Sequence, residues 1–240
     1  MVKKFIMPTL GILFCIAFAP LKAQDNAYPP YTKMKDKTVI SQFHTLDKPE
    51  TTEGIFLNAL LWMIQNRNTV EGKEEIPPIE ADYDKKQFTV ETVLTNPKTT
   101  SQYHCIFSVK VSDNIITILT ADITYEAETS IIKLVKRLPF EKLQPEKKPK
   151  HKEYLEEFAA LDKAYSKQMI EAIISNEPPA ISHWQEIKDK NVTKGMSEAE
   201  CLLSLGKPVS VQKQGTKTEW MYDSYTYLFF ENGILASFIK

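Results

Sequence analysis

Glycine is scarce in this chain: 7 residues out of 240, where an average usage of about 7 % would supply more than twice that number. None of the seven lies in a phosphate-cradling loop, which argues against nucleotide binding through such a motif. Cysteine is scarcer still, and Cys15, Cys105 and Cys201 form no disulfide framework. Cys105 and Cys201 read as buried free thiols that are not bonded to each other. His44, His104, His151 and His183 stand alone, with no pair at the three-to-five spacing that a metal site prefers, so neither metal nor cofactor is expected. Positive charge is not in excess, since the formal net charge is -1. A nucleic-acid partner therefore has no basic field to bind.

Long apolar runs are missing too, except at the start. Lys3 and Lys4 form a positive region, residues 5–20 form an apolar stretch short for a membrane span, and Ala23 suits the position before a cleavage. This reads as a secretory signal peptide over residues 1–23, with the exported chain beginning at Gln24. Cys15 follows Phe14 deep inside the apolar run, which disfavours lipidation. Cleavage removes Lys3, Lys4 and Lys22 and no acid, so -1 becomes -4. The expectation is a protein soluble after processing, periplasmic or otherwise exported, with no further transmembrane segment.

Along the remaining chain, residues 24–36 carry a Pro29-Pro30 pair and read as a flexible lead-in. Thr38 to Phe43 reads as a strand. Ile55, Phe56, Ala59, Leu60, Met63 and Ile64 recur at helical spacing, with Leu57 and Trp62 widening the stripe. Phe88, Val90 and Leu94 share one parity, and Tyr103, Cys105, Phe107, Val109 and Val111 alternate without a break. Ile115 to Tyr125 follows a Ser112-Asp113-Asn114 turn. An earlier turn is expected at Asp84-Lys85-Lys86 and a last strand within Ile131 to Leu138. Residues 141–153 are charged, interrupted by proline, and read as a linker. Tyr154, Phe158, Leu161, Tyr165, Met169 and Ile173 then mark a long amphipathic helix that ends near Asn176. Glu177-Pro178-Pro179 sets the boundary between a first domain, 36–176, and a second, 181–240.

The order strand, helix, antiparallel strands, long helix predicts a sheet whose one apolar face is covered by helices. It resembles an exported bacterial domain family of unknown function with a TATA-binding-protein-like fold, over roughly 36–176. That resemblance implies nothing about DNA.

The second domain has sharper local signals. Ser197 followed by Glu200 is a capping box, Met196 and Cys201 occupy staple positions, and Gly206 with Pro208 beyond it writes the stop. Trp220, Tyr222, Tyr225, Tyr227, Phe229, Phe230 and Phe238 follow in strands, with Glu231-Asn232-Gly233 as a tight turn. Gly195-Met196, Leu205-Gly206-Lys207-Pro208 and the aromatic sheet resemble the SmpA/OmlA family of envelope domains, whose sheet-and-helix arrangement is similar to that of β-lactamase inhibitory proteins. The fold class expected is α+β, in two domains that are each an antiparallel sheet covered by helices.

Catalytic signatures are absent. His104 and Cys105 are neighbours on a strand and must point to opposite faces. Asp122 and the Asp82-Tyr83-Asp84 stretch could be imagined as a glycosidase-like pair, but turn chemistry and a solvated sheet face account for them. No Gly-x-Ser-x-Gly, His-Glu-x-x-His or Ser-x-x-Lys pattern occurs. The expectation is a non-enzymatic envelope protein that binds another envelope or exported protein or stabilises an assembly. An inhibitor of an exported enzyme is the alternative, and an envelope hydrolase ranks below both. Trp220, Tyr222, Tyr225 and Tyr227 are the candidate contact residues, through whichever of them are exposed.

Overall fold

The computed structural model describes residues 31–34, 37–46, 51–68, 79–129, 134–144 and 146–240. The expected signal peptide and the segment 24–30 lie outside them. Among the described residues there are eleven strands and four α-helices, and none of these helices is long and apolar enough to cross a membrane.

The larger sheet is antiparallel. It is built from β1 (Tyr31–Met34), β2 (Lys37–Thr45), β3 (Glu80–Asp82), β4 (Gln87–Thr95), β5 (Gln102–Ser112), β6 (Ile115–Thr129) and β7 (Leu134–Pro139). Its order is β1-β2-β6-β5-β4-β3, and β6 is long enough to pair with β7 along its far half. The alternation read in Tyr103 to Val111 becomes the buried face of β5. The turn at Asp113 holds φ at 52° and the turn at Lys86 holds it at 51°. Residues 31–34 are part of the sheet, paired from Tyr31 with Ile40 to Met34 with Lys37; this corrects the lead-in reading for that stretch.

Two helices cover one face. α1 (Thr52–Asn66) starts where the Thr51 side chain accepts the Gly54 N–H at 3.1 Å. Every residue from Gly54 to Leu60 is buried. Seven consecutive residues go nearly twice around a helix, so α1 is enclosed on all sides from Gly54 to Leu60, and its last turn is exposed at Gln65 and Asn66. α2 (Pro149–Ser175) has its proline in the first turn, a position where the missing N–H costs nothing. The expected linker therefore ends earlier, at residue 148. A 3₁₀ turn, Phe140–Lys142, precedes it.

The other face of the sheet is not purely polar. Val39, Leu119 and Ala121 alternate with the helix-facing positions and form a separate buried cluster. The register shifts between His104 and Ile106, so that Asp122 and Ile123 together oppose Cys105. This is a β-bulge, and Asp122 there has φ 50° and pairs with Lys37.

The chain after α2 adds α3 (Trp184–Lys188), α4 (Glu198–Leu205) and a second antiparallel sheet. That sheet comprises β8 (Ser210–Gln214), β9 (Lys217–Met221), β10 (Tyr227–Glu231) and β11 (Ile234–Ile239), in the order β11-β10-β9-β8. α3 was not expected from the sequence. One apolar core runs from the helix-covered face of the larger sheet through α1 and α4 into the smaller sheet. The joint is close-fitted. A Cβ on Gly54 would meet the Pro178 ring at 2.6 Å, and the Phe56, Tyr83 and Trp184 rings follow one another with centroids 5.7 Å apart at each step.

A polar seam fixes α2 on the larger sheet. Asp162, wholly buried on the apolar side of α2, accepts hydrogen bonds at 2.7 Å from the Thr120 hydroxyl on β6 and from the Gln42 amide on β2. Gln42 also donates to Ser166 at 2.9 Å. Replacing Asp162 by alanine orphans buried donors, each costing about 1–3 kcal/mol. Urea unfolding should show the Asp162→Ala midpoint well below that of Asp162→Asn, which keeps one acceptor oxygen. Equal midpoints for wild type and Asp162→Ala would contradict this account of the seam.

Candidate functional site

α4 sits on the smaller sheet through a start and a stop that are both side-chain determined. The Ser197 hydroxyl accepts the Glu200 N–H at 3.2 Å, and the Glu200 carboxylate accepts the Ser197 N–H at 2.8 Å. Gly206 closes the helix at φ 84° with its N–H on the Leu202 carbonyl. The expected capping box and glycine stop are both present.

Glu200 does more than cap. It is buried, and its Oε1 accepts the N–H groups of Ser182 at 2.7 Å and His183 at 2.9 Å and lies 3.1 Å from His183 Nδ1. One carboxylate thus ties the segment after Pro179 to the start of α4. Burial alone would raise its pKa. The backbone N–H groups of Ser197, Ser182 and His183, with the His183 ring, outweigh burial and bring it down from 4.5 to about 2.

The pairing register sorts the aromatics. Trp220 faces Leu228, and Thr218 faces Phe230; all four are buried, with the Trp220 and Phe230 rings 4.5 Å apart. Trp220, at 5 % exposure, is therefore a core residue and leaves the candidate contact set. Tyr222 is half-buried, and its hydroxyl donates to the Gly206 carbonyl at 3.0 Å. That bond ties the β9 end to the helix stop, a structural task. Tyr227 lies on the opposite, open face in a row with Met221 and Ile239.

Tyr225 stands apart, 80 % exposed. Its loop is held by Asp223, whose Oδ1 accepts the N–H groups of Tyr225 and Thr226 at 2.7 Å each, while the Thr226 hydroxyl donates to Oδ2 at 3.0 Å. Those N–H groups hold the Asp223 carboxyl below its usual range. The ring is presented to solvent by an ordered turn. Of the large apolar side chains that are exposed among the described residues, Val209, Val211, Tyr225, Ile234, Phe238 and Ile239 all belong to this small sheet and its loops.

Elsewhere several chemistry-bearing residues are buried or have structural partners, whereas His44 Nε2 is buried with no hydrogen-bond partner among the described residues. Cys105 and Cys201 are buried and unbonded. Burial and then the nearby Asp162 carboxylate push the Cys105 thiol well up, and burial with Glu200 and Glu198 pushes Cys201 to about 12, so neither is a nucleophile near neutral pH. His104 points away from Cys105 to Glu126, 2.6 Å distant, which also meets Arg137 at 3.4 Å. Asp82 accepts from Asp84 and Lys85 within its turn, three strands from Asp122 in sheet order, so no carboxylate pair forms. Among the described residues no group of three metal-capable side chains assembles.

A cleft of about 750 Å³ opens where the C-terminal ends of α1 and α4 meet the β3 turn, with Leu60, Ile64, Tyr83, Leu203 and Lys207 on its wall. Its polar groups serve the joint. Lys207 donates to the Gln65 carbonyl at 2.7 Å and Tyr83 to the Leu203 carbonyl at 3.3 Å, meeting helix C-terminal carbonyls that lack intrahelical donors.

No family model matches the sequence, and no curated protein matches it. Among solved structures, the chain is similar to a TBP-like protein from Parabacteroides distasonis, with TM-score 0.50 and 14 % identity over 61 % of this chain and 99 % of that one. It is also similar to a DUF4468 family protein from Bacteroides ovatus, with TM-score 0.43 and 12 % identity over 63 % and 94 %. The first likeness shows the fold alone and fits a TBP-like arrangement of the larger sheet and its helices.

The depressed Glu200 pKa sets a pH dependence. A carboxylate whose folded value lies below its unfolded value stabilises the fold above the unfolded pKa and loses that contribution as pH falls through the folded one. Wild type should therefore lose stability between about pH 4.5 and about pH 2 by an amount that is absent from Glu200→Gln. Parallel stability curves for the two proteins over that window would contradict the assignment.

Proposed function

We propose that this is a non-catalytic exported protein of the bacterial envelope that binds a protein partner, or steadies an envelope assembly, through the open face of its smaller sheet. In this reading residues 1–23 are removed on export and residues 181–240 act as an SmpA/OmlA-like module, carried by a TBP-like unit. The capping box at Ser197, the Gly206 stop and the Asn232-Gly233 turn fit that module.

The observation that carries the proposal is Tyr225. A large aromatic ring exposed on a turn whose backbone is already fixed by hydrogen bonds from Tyr225 and Thr226 to one aspartate requires little backbone ordering on binding. Tyr227, Met221 and Ile239 continue an apolar surface across the adjoining strands. Tyrosine at the centre of such a surface is a frequent energetic anchor. The contact set narrows to Tyr225 and Tyr227, because Trp220 is core and Tyr222 serves the helix stop.

Affinity capture of the tagged protein from envelope extracts tests the reading. Tyr225→Ala should abolish recovery of the partner while leaving the melting temperature within about 2 °C of wild type, since surface changes of this kind cost no more than about 0.5 kcal/mol. Undiminished recovery with Tyr225→Ala and Tyr227→Ala combined would remove this face as the contact.

A further inference from the structure

The smaller sheet has two edges, and the chain treats them differently. Along β11, Leu235 donates to the Met196 carbonyl at 2.7 Å and accepts the Gly195 N–H at 2.9 Å, and Ser197 bridges Ile234. The pairing with β10 also slips between Phe229 and Phe230, leaving Ala236 bulged. Such covers and bulges are how an edge is kept from pairing with another chain. β8 has neither. From Val211 to Gln214 every residue is exposed, and Val209 and Val211 stand 74 % and 54 % exposed beside it.

The direction of each backbone group on β8 follows from the ladder. Tyr222 donates to Thr226 and Asn232 donates to Thr216, so the even-numbered residues of β9 bond towards β10 and the odd-numbered ones towards β8. Met221, Glu219 and Lys217 then pair by hydrogen bonds with Ser210, Gln212 and Gln214. That leaves the N–H and C=O groups of Val211 and Lys213 facing outward from the sheet.

We infer that β8 is the dimer edge of this protein, pairing antiparallel with β8 of a second copy about a two-fold axis at Gln212. This register is the one in which all the outward groups are used: Val211 of each copy exchanges both its bonds with Lys213 of the other, giving a ladder of four. It also suits the charges. Lys213, the one charged residue on β8, is set opposite an uncharged valine and away from its own copy, where a like charge would repel. Gln212 meets Gln212 of the second copy at the axis with amides that can donate and accept. The interface is isologous and closes at two subunits, making one continuous eight-stranded sheet. It does not depend on the open-face contact proposed above, since it uses backbone groups on the edge.

Sedimentation velocity over a range of protein concentrations tests the pairing through its register. Wild type should pass from monomer to dimer as concentration rises. Val211→Lys opposes a lysine to Lys213 and should remain monomeric at concentrations where wild type is dimeric. Val211→Glu opposes an acid to Lys213 and should dimerise at a concentration at least severalfold lower, more so at low salt. Adding Lys213→Glu to Val211→Lys should restore the dimer. Melting curves confirm that each variant is folded, as Val211 lies outside the core. A wild type that is monomeric throughout, or a dimer that is indifferent to these charges, would overturn the inference. A dimer lost with Tyr225→Ala but kept with Val211→Lys would do so as well.

Discussion

Enclosure of α1 is the constraint on which the rest of the structure depends. Ile55, Phe56, Leu57, Leu60, Met63 and Ile64 leave water on every side of one short helix, and each such side chain stabilises the fold by roughly 1.5–3 kcal/mol when fully buried. A helix of that kind needs neighbours all round. The larger sheet supplies one, α2 a second and α4 a third. Neither the larger sheet nor α4 could therefore leave without exposing α1. The Gly54 approach to Pro178 and the Asn58 amide, which donates to the Asn176 carbonyl at 2.8 Å, hold the segment between α2 and α3 against the same helix.

From that joint the smaller sheet gains a fixed inner face. Trp220, Leu228, Phe230 and Leu235 are buried in the same core as Cys201, Leu202 and Leu203 of α4, and Glu200 secures α4 to the chain that enters it. The aromatic residues thus divide by strand parity into core and surface, with Tyr222 between them as a brace. What remains outside, among the described residues, is an exposed Tyr225 on a hydrogen-bonded turn, a row through Tyr227, and an exposed β8. Both thiols are buried, and Glu200, Asp82 and Asp223 are taken up by a helix start and by turns.

Local signals were legible in the sequence and long-range ones were not. Ser197, Glu200 and Gly206 wrote α4 correctly because capping chemistry acts within a few residues. The unbroken alternation of β5 declared itself for the same reason. β1 was hidden because its strand character comes from pairing with β2, and the start of α2 because Pro149 and the lysines around it read as a linker. Asp162 is a polar residue inside an apolar helical stripe, and only the arrival of Gln42 and Thr120 from distant strands explains it. Likewise, alternation puts Trp220 and Met221 on different faces of β9, but does not say which face is buried.

The claim that one core unites both sheets is tested most directly by hydrogen exchange in increasing denaturant. The account predicts that the slowest amides of β5 and those of β9 and β10 open with the same free energy and the same denaturant dependence, as parts of one cooperative unit. Loss of protection in β9 and β10 at a denaturant concentration where β5 remains fully protected would contradict it.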